Sequence, residues 1–131
     1  MASRIAFAAK GWAELRKRPI EEDTLFELGS IGKTYTALLA LELLDLQAPV
    51  TDYLPWFEVR SGFGPIRIEH LLTHSAGLIR GTEMTADSRF DVWALRDTDA
   101  GFAPGERYYY SNVGYRAVGY ALEAATGERY P

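Results

Sequence analysis

The 131 residues, 47% of them hydrophobic, can form one modest core but not two, so we expect at most one domain over residues 1–131. The 14 basic residues against 18 acidic ones give a formal charge of -4, which offers no positive field for a phosphate backbone and excludes nucleic acid as an expected partner. No apolar run approaches the roughly 20 residues that cross a bilayer, and residues 1–10 lack the apolar core of a signal peptide.

The first half of the chain predicts two strands followed by a long helix. Residues 5–9 and 24–28 are short apolar or β-prone runs, and the charged stretch between them, residues 14–23, predicts a loop. After Gly29 the pattern changes, because residues 35–44 are apolar nearly all round. A helix of this kind is normally buried, so we expect it to form the core of the domain.

Three further helices are predicted in the second half. One covers residues 68–73 and is expected to end near Gly77, and the next covers residues 87–96. The last runs from residue 113 to residue 126, with Gly127 placed as its C-terminal cap. The chain is therefore expected to be rich in helix, with too few strands for a complete sheet.

Ser30 and Lys33 stand where the long helix begins, and a spacing of three residues brings them onto the same helix face. A serine hydroxyl becomes a strong nucleophile only when a neighbouring base takes its proton, and a desolvated lysine amine can help. The helix N-terminus would also stabilise negative charge that develops at Ser30. Taken alone, however, the pair is better explained as a helix cap and a solvated first-turn lysine.

A second group of polar residues, Tyr110 and Asn112, lies in the loop before the last helix. A phenol close to an ammonium group can act as general base toward Ser30 and then as general acid toward a leaving group. The Asn112 carboxamide can orient Lys33 and bind a substrate amide. Taken alone, the aromatic residues 108–110 are better explained by packing on the core, and Asn112 by capping of the helix.

Three segments in order resemble the class C serine β-lactamases, the related D-alanyl-D-alanine carboxypeptidases and the β-lactamase-fold esterases. TLFELGSIGKT at residues 24–34 is similar to the family's nucleophile segment, LLTHSAGL at 71–78 to its mid-domain helix end, and PGERYYYSNVGY at 104–115 to its Tyr-x-Asn segment. The resemblance implies an α/β fold of the β-lactamase and penicillin-binding-protein (transpeptidase-like) type. We expect mainly the helical part of that fold, with an incomplete antiparallel sheet.

The resemblance also implies a chemistry. Ser30 would form an acyl-enzyme, Lys33 and Tyr110 would share the proton transfers, and the role of Asn112 would be to position the substrate. The expected reaction is hydrolysis, without a cofactor or a metal ion, of a small-molecule carboxylic ester, β-lactam or D-alanyl peptide. Gly32 and the residues around Tyr110 are closer to the esterase-like branch, which favours an ester.

The chain departs from the family's pattern in length. Family members are longer, and the strand that carries their third motif, Lys or His followed by Ser or Thr and Gly, is not found in this sequence. That strand supplies one of the two backbone donors of the oxyanion hole, whose loss costs about 10²–10³ in rate, and the Ser30 N–H would be the other donor. The competing hypothesis is a catalytically silent remnant that binds another copy or a complementing segment through exposed sheet edges.

Two other classes of site are excluded by single residues. Residues 29–34 resemble the end of a phosphate-binding loop, but Glu27 stands where that motif needs glycine. His70 and His74 lie one helical turn apart, but Leu71 follows His70 where a zinc protease has Glu, so we interpret both histidines as structural. With no cysteine, thiolate metal sites are excluded as well, and neither the redox compartment nor the localisation is indicated.

Overall fold

The computed structural model describes residues 6–82 and 86–130. Its elements in chain order are β1 (Trp12–Glu14), β2 (Arg18–Pro19), α1 (Gly32–Leu43), α2 (Val50–Tyr53), α3 (Ile68–Leu72), α4 (Ser88–Trp93) and α5 (Asn112–Thr126). A 3₁₀ turn, Gly29–Ile31, leads directly into α1, and a second, Ala94–Asp97, continues α4. β1 and β2 pair antiparallel, with Trp12 opposite Pro19. None of the helices in the described residues has the length and apolarity to cross a bilayer.

Helix α5 is the centre of the packing. It contacts all four of the other helices, and its buried side chains include those of Val113, Ala117, Val118, Ala121 and Leu122. The Ser111 hydroxyl caps its start by accepting the N–H of Gly114 at 3.0 Å, and Gly127 ends it with a left-handed φ of 74°. The predicted helix over residues 113–126 and its glycine cap are therefore confirmed.

Helix α1 is less buried than its sequence predicts. Its buried residues are Thr36 and Ala40, which lie one turn apart on the side of the helix that packs against α5. By contrast, Leu38 and Leu41 are 58% and 61% exposed. The expectation of a fully buried helix at the core is therefore wrong for the described structure. Apolar residues lie on every side of α1, but the rest of the described chain covers only one side of this helix.

The two predicted strands are wrong as well. Residues 6–9 and 24–28 have no regular secondary structure, and Ile5 lies outside the described residues. The strand pair forms instead at the start of the charged stretch that was predicted as a loop: β1 ends at Glu14, its first residue, and β2 lies within it, with Arg16 in the left-handed conformation between them. Leu25 and Phe26 are 94% and 68% exposed, so in the described structure this run has no buried face of the kind that stabilises a strand.

The residue that follows α3 in the left-handed conformation is His74, with φ 57°, and not the predicted Gly77. Gly77 serves a loop contact instead, because a Cβ at this position would lie 2.5 Å from the carbonyl oxygen of Phe102. Nearby, the N–H of Gly101 donates to the Gly77 carbonyl at 2.9 Å, and the N–H of Gly105 donates to the Ser75 carbonyl at 2.8 Å. These bonds join the end of α3 to the segment that leads into α5.

Helix α4 and its 3₁₀ extension fall within one residue of the predicted range, 87–96. The Asp87 carboxylate caps the helix by accepting the N–H groups of Arg89 and Phe90 at 2.9 and 3.1 Å. Val92 and Leu95 on this element are fully buried against the core. The capping residue and the spacing of the buried residues explain why the sequence predicted this helix correctly.

Candidate active site

Ser30 lies on an exposed surface where the chain turns into α1. Gly29, directly before it, has a φ of 51°, a conformation that residues with a Cβ rarely adopt. The residues at the N-cap positions of the 3₁₀ turn and of α1 are Leu28 and Ile31, and neither end has a side-chain cap. The interpretation of Ser30 as a plain helix cap is therefore wrong, and its hydroxyl is directed elsewhere.

Lys33 lies on the first turn of α1, half-buried, and donates to the Ser30 Oγ at 3.2 Å. The spacing of three residues within the helix produces this contact, as the sequence predicted. The ammonium group also lies over two aromatic rings, 5.1 Å from the centre of the Tyr110 ring and 5.7 Å from that of Tyr115. A cation held in this way favours negative charge on nearby oxygen atoms.

Tyr110, from the C-terminal part of the chain, also contacts the Ser30 hydroxyl. Its phenol oxygen lies 2.7 Å from the Ser30 Oγ, although the two residues are 80 positions apart in the sequence. The next residue, Ser111, is fixed as the N-cap of α5, and its hydroxyl also donates to the Ile79 carbonyl at 2.7 Å. The packing of α5 against α1 therefore brings Tyr110 close to the Ser30 and Lys33 pair.

The pKa of Tyr110 lies below its ordinary value of 10.0. Burial opposes this change and raises the pKa, but it is outweighed by hydrogen bonding to Lys33 and Ser30 and by the positive charges of Lys33 and Arg80. The Arg80 guanidinium lies 5.8 Å from the centre of the Tyr110 ring. A phenol that ionises more readily is a better general base near neutral pH.

Asn112 is the first residue of α5 and is half-buried. Its backbone N–H donates to the Arg80 carbonyl at 2.7 Å. Within the described ranges, no hydrogen bond joins its carboxamide to Lys33, so the predicted orienting contact between these two side chains is not formed. The alternative in which Asn112 caps the helix is wrong too, because Ser111 holds that position.

His74 also belongs to this cluster, and the sequence did not indicate it as a site residue. Its ring lies 4.3 Å from the ring of Tyr110 and 5.0 Å from that of Tyr115, measured between centres. Its Nδ1 accepts the N–H of Ser111 at 3.1 Å. Burial, and then the charge of Lys33, hold the pKa of His74 below 6.5. The sequence holds one indication that His74 matters, namely its position in the family-like segment 71–78, but that position does not predict which residues the histidine ring contacts.

Both histidines bind the backbone through a ring nitrogen. The Nδ1 of His70 accepts the N–H of Arg67 at 3.0 Å, as the Nδ1 of His74 accepts that of Ser111. Each histidine therefore uses one ring nitrogen to fix the backbone, which agrees with a structural interpretation. Across residues 6–82 and 86–130, no group of three or more His, Cys, Asp or Glu side chains is placed to hold a metal ion.

The sequence profile of the family described as Beta-lactamase matches residues 3–131. The chain belongs to the beta-lactamase family. It is 37% identical over 137 aligned positions to Esterase EstB of Burkholderia gladioli, covering 85% of this chain and 35% of the esterase. It is 32% identical to Penicillin-binding protein 4* of Bacillus subtilis (strain 168), covering 92% of this chain and 30% of that protein. The solved structure of EstCE1, described as a hydrolase with promiscuous acyltransferase activity, matches with a TM-score of 0.76 and 30% identity, over 88% of this chain and 37% of that one.

These comparisons confirm the predicted fold class. The chain has the fold of the β-lactamases and penicillin-binding proteins. Its described residues form a mostly helical part of that fold, with a two-stranded antiparallel sheet. The chain spans about a third of the length of the relatives it matches, 35% of one and 30% of the other.

Proposed function

We propose that this chain carries the nucleophile and the proton-transfer groups of a serine hydrolase that acts through an acyl-enzyme. The observation that carries the proposal is the position of Ser30 Oγ, 2.7 Å from the phenol oxygen of Tyr110 and 3.2 Å from Lys33 Nζ. A hydroxyl held between a base and an ammonium group is arranged for activation as a nucleophile. The lowered pKa of Tyr110 supports the same assignment.

In the acylation step, the Tyr110 phenolate takes the proton of Ser30 while Oγ forms a bond to the substrate carbonyl carbon. The carbonyl π electrons move onto the oxygen, and Lys33 stabilises the negative charge on the phenol before the transfer. The carbonyl then re-forms, the bond to the leaving group breaks, and Tyr110 gives its proton to that group. The products are an ester on Ser30 and a free alcohol or amine.

In the deacylation step, water replaces Ser30 as the nucleophile. Tyr110, again a phenolate, takes a proton from water while the water oxygen bonds to the acyl carbon. When the second tetrahedral intermediate collapses, the proton returns to Ser30 Oγ and the carboxylic acid leaves. The same base therefore serves both half-reactions.

We assign the Ser30 N–H as one donor to the developing oxyanion. It lies in the first turn of the helical segment that continues as α1, where backbone N–H groups have no preceding helical carbonyl to bind. Asn112, two residues after Tyr110 and half-buried, is assigned to contact the substrate beside the leaving group. This assignment replaces the orienting role toward Lys33, which the geometry does not support.

A small carboxylic ester is the favoured substrate, ahead of a β-lactam or a D-alanyl peptide. One relative is named an esterase, and the matching structure is described as a hydrolase with acyltransferase activity. An ester is also the least demanding substrate for this site, because an alkoxide leaves more easily than an unprotonated amide nitrogen and therefore depends less on the proton from Tyr110.

We assign residues 1–131 to one partial domain. The support is a single cluster of buried residues that runs from Ala40 on α1 to Leu122 on α5 and includes α2, α3 and α4. A shared core of this kind holds the Ser30 turn and the Tyr110 loop in one unit.

A catalytically silent binding module is the second candidate. Ser30 lies on an open surface, and an open site excludes water poorly. The exposed Leu38 and Leu41 on α1 favour association with a partner surface. In this case the chain would pair with another copy or a complementing segment, through its sheet edges as predicted or through α1.

The proposal is tested by intact-protein mass spectrometry before and after incubation with a fluorophosphonate and, separately, with a penicillin. We expect one adduct per chain, formed with loss of fluoride or with opening of the lactam ring, and no adduct on Ser30→Ala. Ser61→Ala, which removes a hydroxyl in an exposed loop, is the matched control and should label as the unaltered chain does. Tyr110→Phe should slow labelling by about 10²-fold or more because the base is lost.

Each outcome decides between the candidates. Labelling by the fluorophosphonate alone favours the ester, and labelling by penicillin favours the β-lactam and D-alanyl substrates. A folded chain that takes up neither reagent, or that labels equally with Ser30→Ala, overturns the serine hydrolase and leaves the silent module.

A further inference from the structure

Helix α3 ends in a motif that usually contains glycine but here contains histidine. The N–H of Ser75 donates to the His70 carbonyl at 2.8 Å, and the N–H of His74 donates to the Leu71 carbonyl at 3.3 Å. This pair of hydrogen bonds is the Schellman motif, whose left-handed position is held by His74 with φ 57°. Glycine adopts that conformation freely, whereas a residue with a Cβ is strained in it.

Histidine at this left-handed position differs from what the chain uses at the end of α5. Helix α5 ends on Gly127, with φ 74° in the same conformation. The other non-glycine residue with positive φ in the described ranges, Arg16, lies in the exposed turn between β1 and β2. His74, by contrast, lies beside the Ser30 and Tyr110 pair, and backbone strain beside a reactive group points to a use for the strained residue's side chain.

His74 holds the Tyr110 segment at three points. Its carbonyl accepts the N–H of Tyr109 at 2.7 Å, and its Nδ1 accepts the N–H of Ser111 at 3.1 Å. Its ring packs on the ring of Tyr110 itself, with centres 4.3 Å apart and planes tilted by 33°. The backbone on both sides of Tyr110 and the Tyr110 ring are therefore fixed by one residue.

In this left-handed conformation, the carbonyl and the side chain of His74 both bind the segment around Tyr110. A second ring, that of Tyr115, lies on the histidine with centres 5.0 Å apart. The Tyr115 hydroxyl in turn donates to the Leu72 carbonyl at 2.9 Å, which ties the stack to the end of α3.

We propose that His74 is a positioning residue that holds the Tyr110 phenol against Ser30 Oγ. The inference rests on the proposed function, since it assigns the orientation of that reaction's base. Nδ1 accepts a hydrogen bond, so the ring is neutral with its proton on Nε2. The low pKa of His74 agrees with this state.

Two substitutions separate positioning from folding. His74→Gly relieves the backbone strain and keeps the Schellman motif, which offsets part of the stability lost with the ring and the Nδ1 acceptor, so we expect a folded chain with a lowered melting temperature. His74→Asn keeps tolerance of the left-handed conformation and supplies an amide oxygen that can accept the Ser111 N–H, but has no ring. His70→Asn is the matched control, because His70 lies on α3 just before His74 and makes no hydrogen bond or ring contact with residues 109–111.

The first readout is the rate of fluorophosphonate labelling of Ser30. We expect His74→Gly to label on the order of 10-fold to 100-fold more slowly while it remains folded, with His74→Asn in between and His70→Asn unchanged. Labelling of folded His74→Gly at the rate of the unaltered chain overturns the inference.

The second readout does not depend on Ser30 being reactive. Tyrosines labelled with ¹³C at Cζ are titrated by NMR, and Tyr110→Phe assigns the Tyr110 signal. We expect Tyr110 to titrate below 10.0 in the unaltered chain and closer to 10.0 in His74→Gly, because the phenol leaves the positive charges of Lys33 and Arg80. If Tyr110 titrates at the same pH in both, the positioning role is overturned. If the shift occurs but no variant labels, positioning holds and the hydrolase proposal fails.

Discussion

Arg116 on α5 and Asp91 on α4 form an ion pair whose two side chains are only 18% and 19% exposed. Asp91 also accepts the hydroxyl of Thr82 at 2.9 Å, and Arg116 donates to the Thr82 carbonyl at 2.8 Å. We predict that Asp91→Asn lowers the free energy of unfolding by about 2 kcal/mol, because it removes one charge from a pair that is largely withdrawn from water. Urea unfolding followed by circular dichroism measures the change.

The matched control is the exposed ion pair of Glu14 and Lys17 in the β1–β2 hairpin, whose side chains are 58% and 75% exposed. We expect Glu14→Gln to change the free energy of unfolding by less than about 0.5 kcal/mol, because water screens this pair. Equal losses in Asp91→Asn and Glu14→Gln would show that the α4–α5 pair contributes no more than an exposed one.

Gly77 is predicted to be intolerant of a side chain. A Cβ there would lie 2.5 Å from the Phe102 carbonyl oxygen, and the φ of 73° strains any other residue. We expect Gly77→Ala to lower the free energy of unfolding by about 2–4 kcal/mol, measured by urea unfolding. Gly62→Ala is the comparison, because nothing lies within 4 Å of its Cβ, and its change should stay within about 0.5 kcal/mol. A loss below about 1 kcal/mol in Gly77→Ala would mean that the loop at Phe102 moves away from the new Cβ at little cost.

The fold was predictable where local chemistry decides it. The α5 range followed from its apolar spacing and from Gly127, and the α4 range followed from a helical pattern that begins at Asp87, the residue that the structure shows to be its N-cap. The burial of α1 was not predictable, because residues that are apolar all round a helix do not reveal how many of its sides are covered. The run around Leu25 was mistaken for a strand, since a strand depends on pairing partners elsewhere in the chain.

The same division holds for the site. Ser30 and Lys33 lie on neighbouring positions of one helical turn, so their spacing predicts their contact. Tyr110 lies 80 positions from Ser30, and only the resemblance to a family placed the two side by side. The sequence predicted a structural histidine at position 74 because the zinc-protease pattern fails at Leu71, and no local rule predicts histidine, rather than glycine, at a left-handed helix end.

Arg80 is expected to set the pH at which Ser30 becomes reactive. Its positive charge is one of the causes that lower the pKa of Tyr110, so removal of the charge destabilises the phenolate and raises that pKa. We predict that Arg80→Gln shifts the rise of the labelling rate with pH toward alkaline pH and slows labelling near neutrality. Fluorophosphonate labelling across the pH range measures the shift.

Arg107→Gln is the control for this experiment. Arg107 lies close to Tyr110 in the sequence, but its side chain is 71% exposed and pairs with Glu106. Its loss should leave the pH dependence unchanged, because an exposed charge is screened by solvent. A profile that moves equally in Arg80→Gln and Arg107→Gln would assign the effect to net charge and not to the contact with the Tyr110 ring.

The two histidines are expected to make stability depend on pH just below 6.5. Burial lowers the pKa of His70, with Glu69 opposing and Arg67 adding to the change. Burial, and then Lys33, lower the pKa of His74. The unfolded chain therefore takes up protons at a higher pH than the folded chain, so stability is full above 6.5 and decreases as the pH falls toward the folded pKa values.

Urea unfolding at steps of pH from about 7.5 to about 5.5 measures this dependence on the histidines. The variant that combines His70→Asn with His74→Gly should show a flatter dependence, since no histidine remains to titrate. A slope that is identical in the double variant would assign the pH dependence to other groups.

Self-association is the last prediction, and two surfaces compete for it. In the described residues the sheet consists of β1 and β2, which leaves an outer edge on each strand, while Leu38 and Leu41 on α1 are 58% and 61% exposed. The two exposed leucines favour α1 as the association surface. We therefore expect light scattering to detect a dimer or a larger species, and to detect a monomer in the double variant Leu38→Glu and Leu41→Glu. Ala13→Lys, which places on β1 the charge that blocks edge pairing, should leave the association intact. The reverse pattern would assign association to the strands, and a monomeric unaltered chain at high concentration would exclude both surfaces.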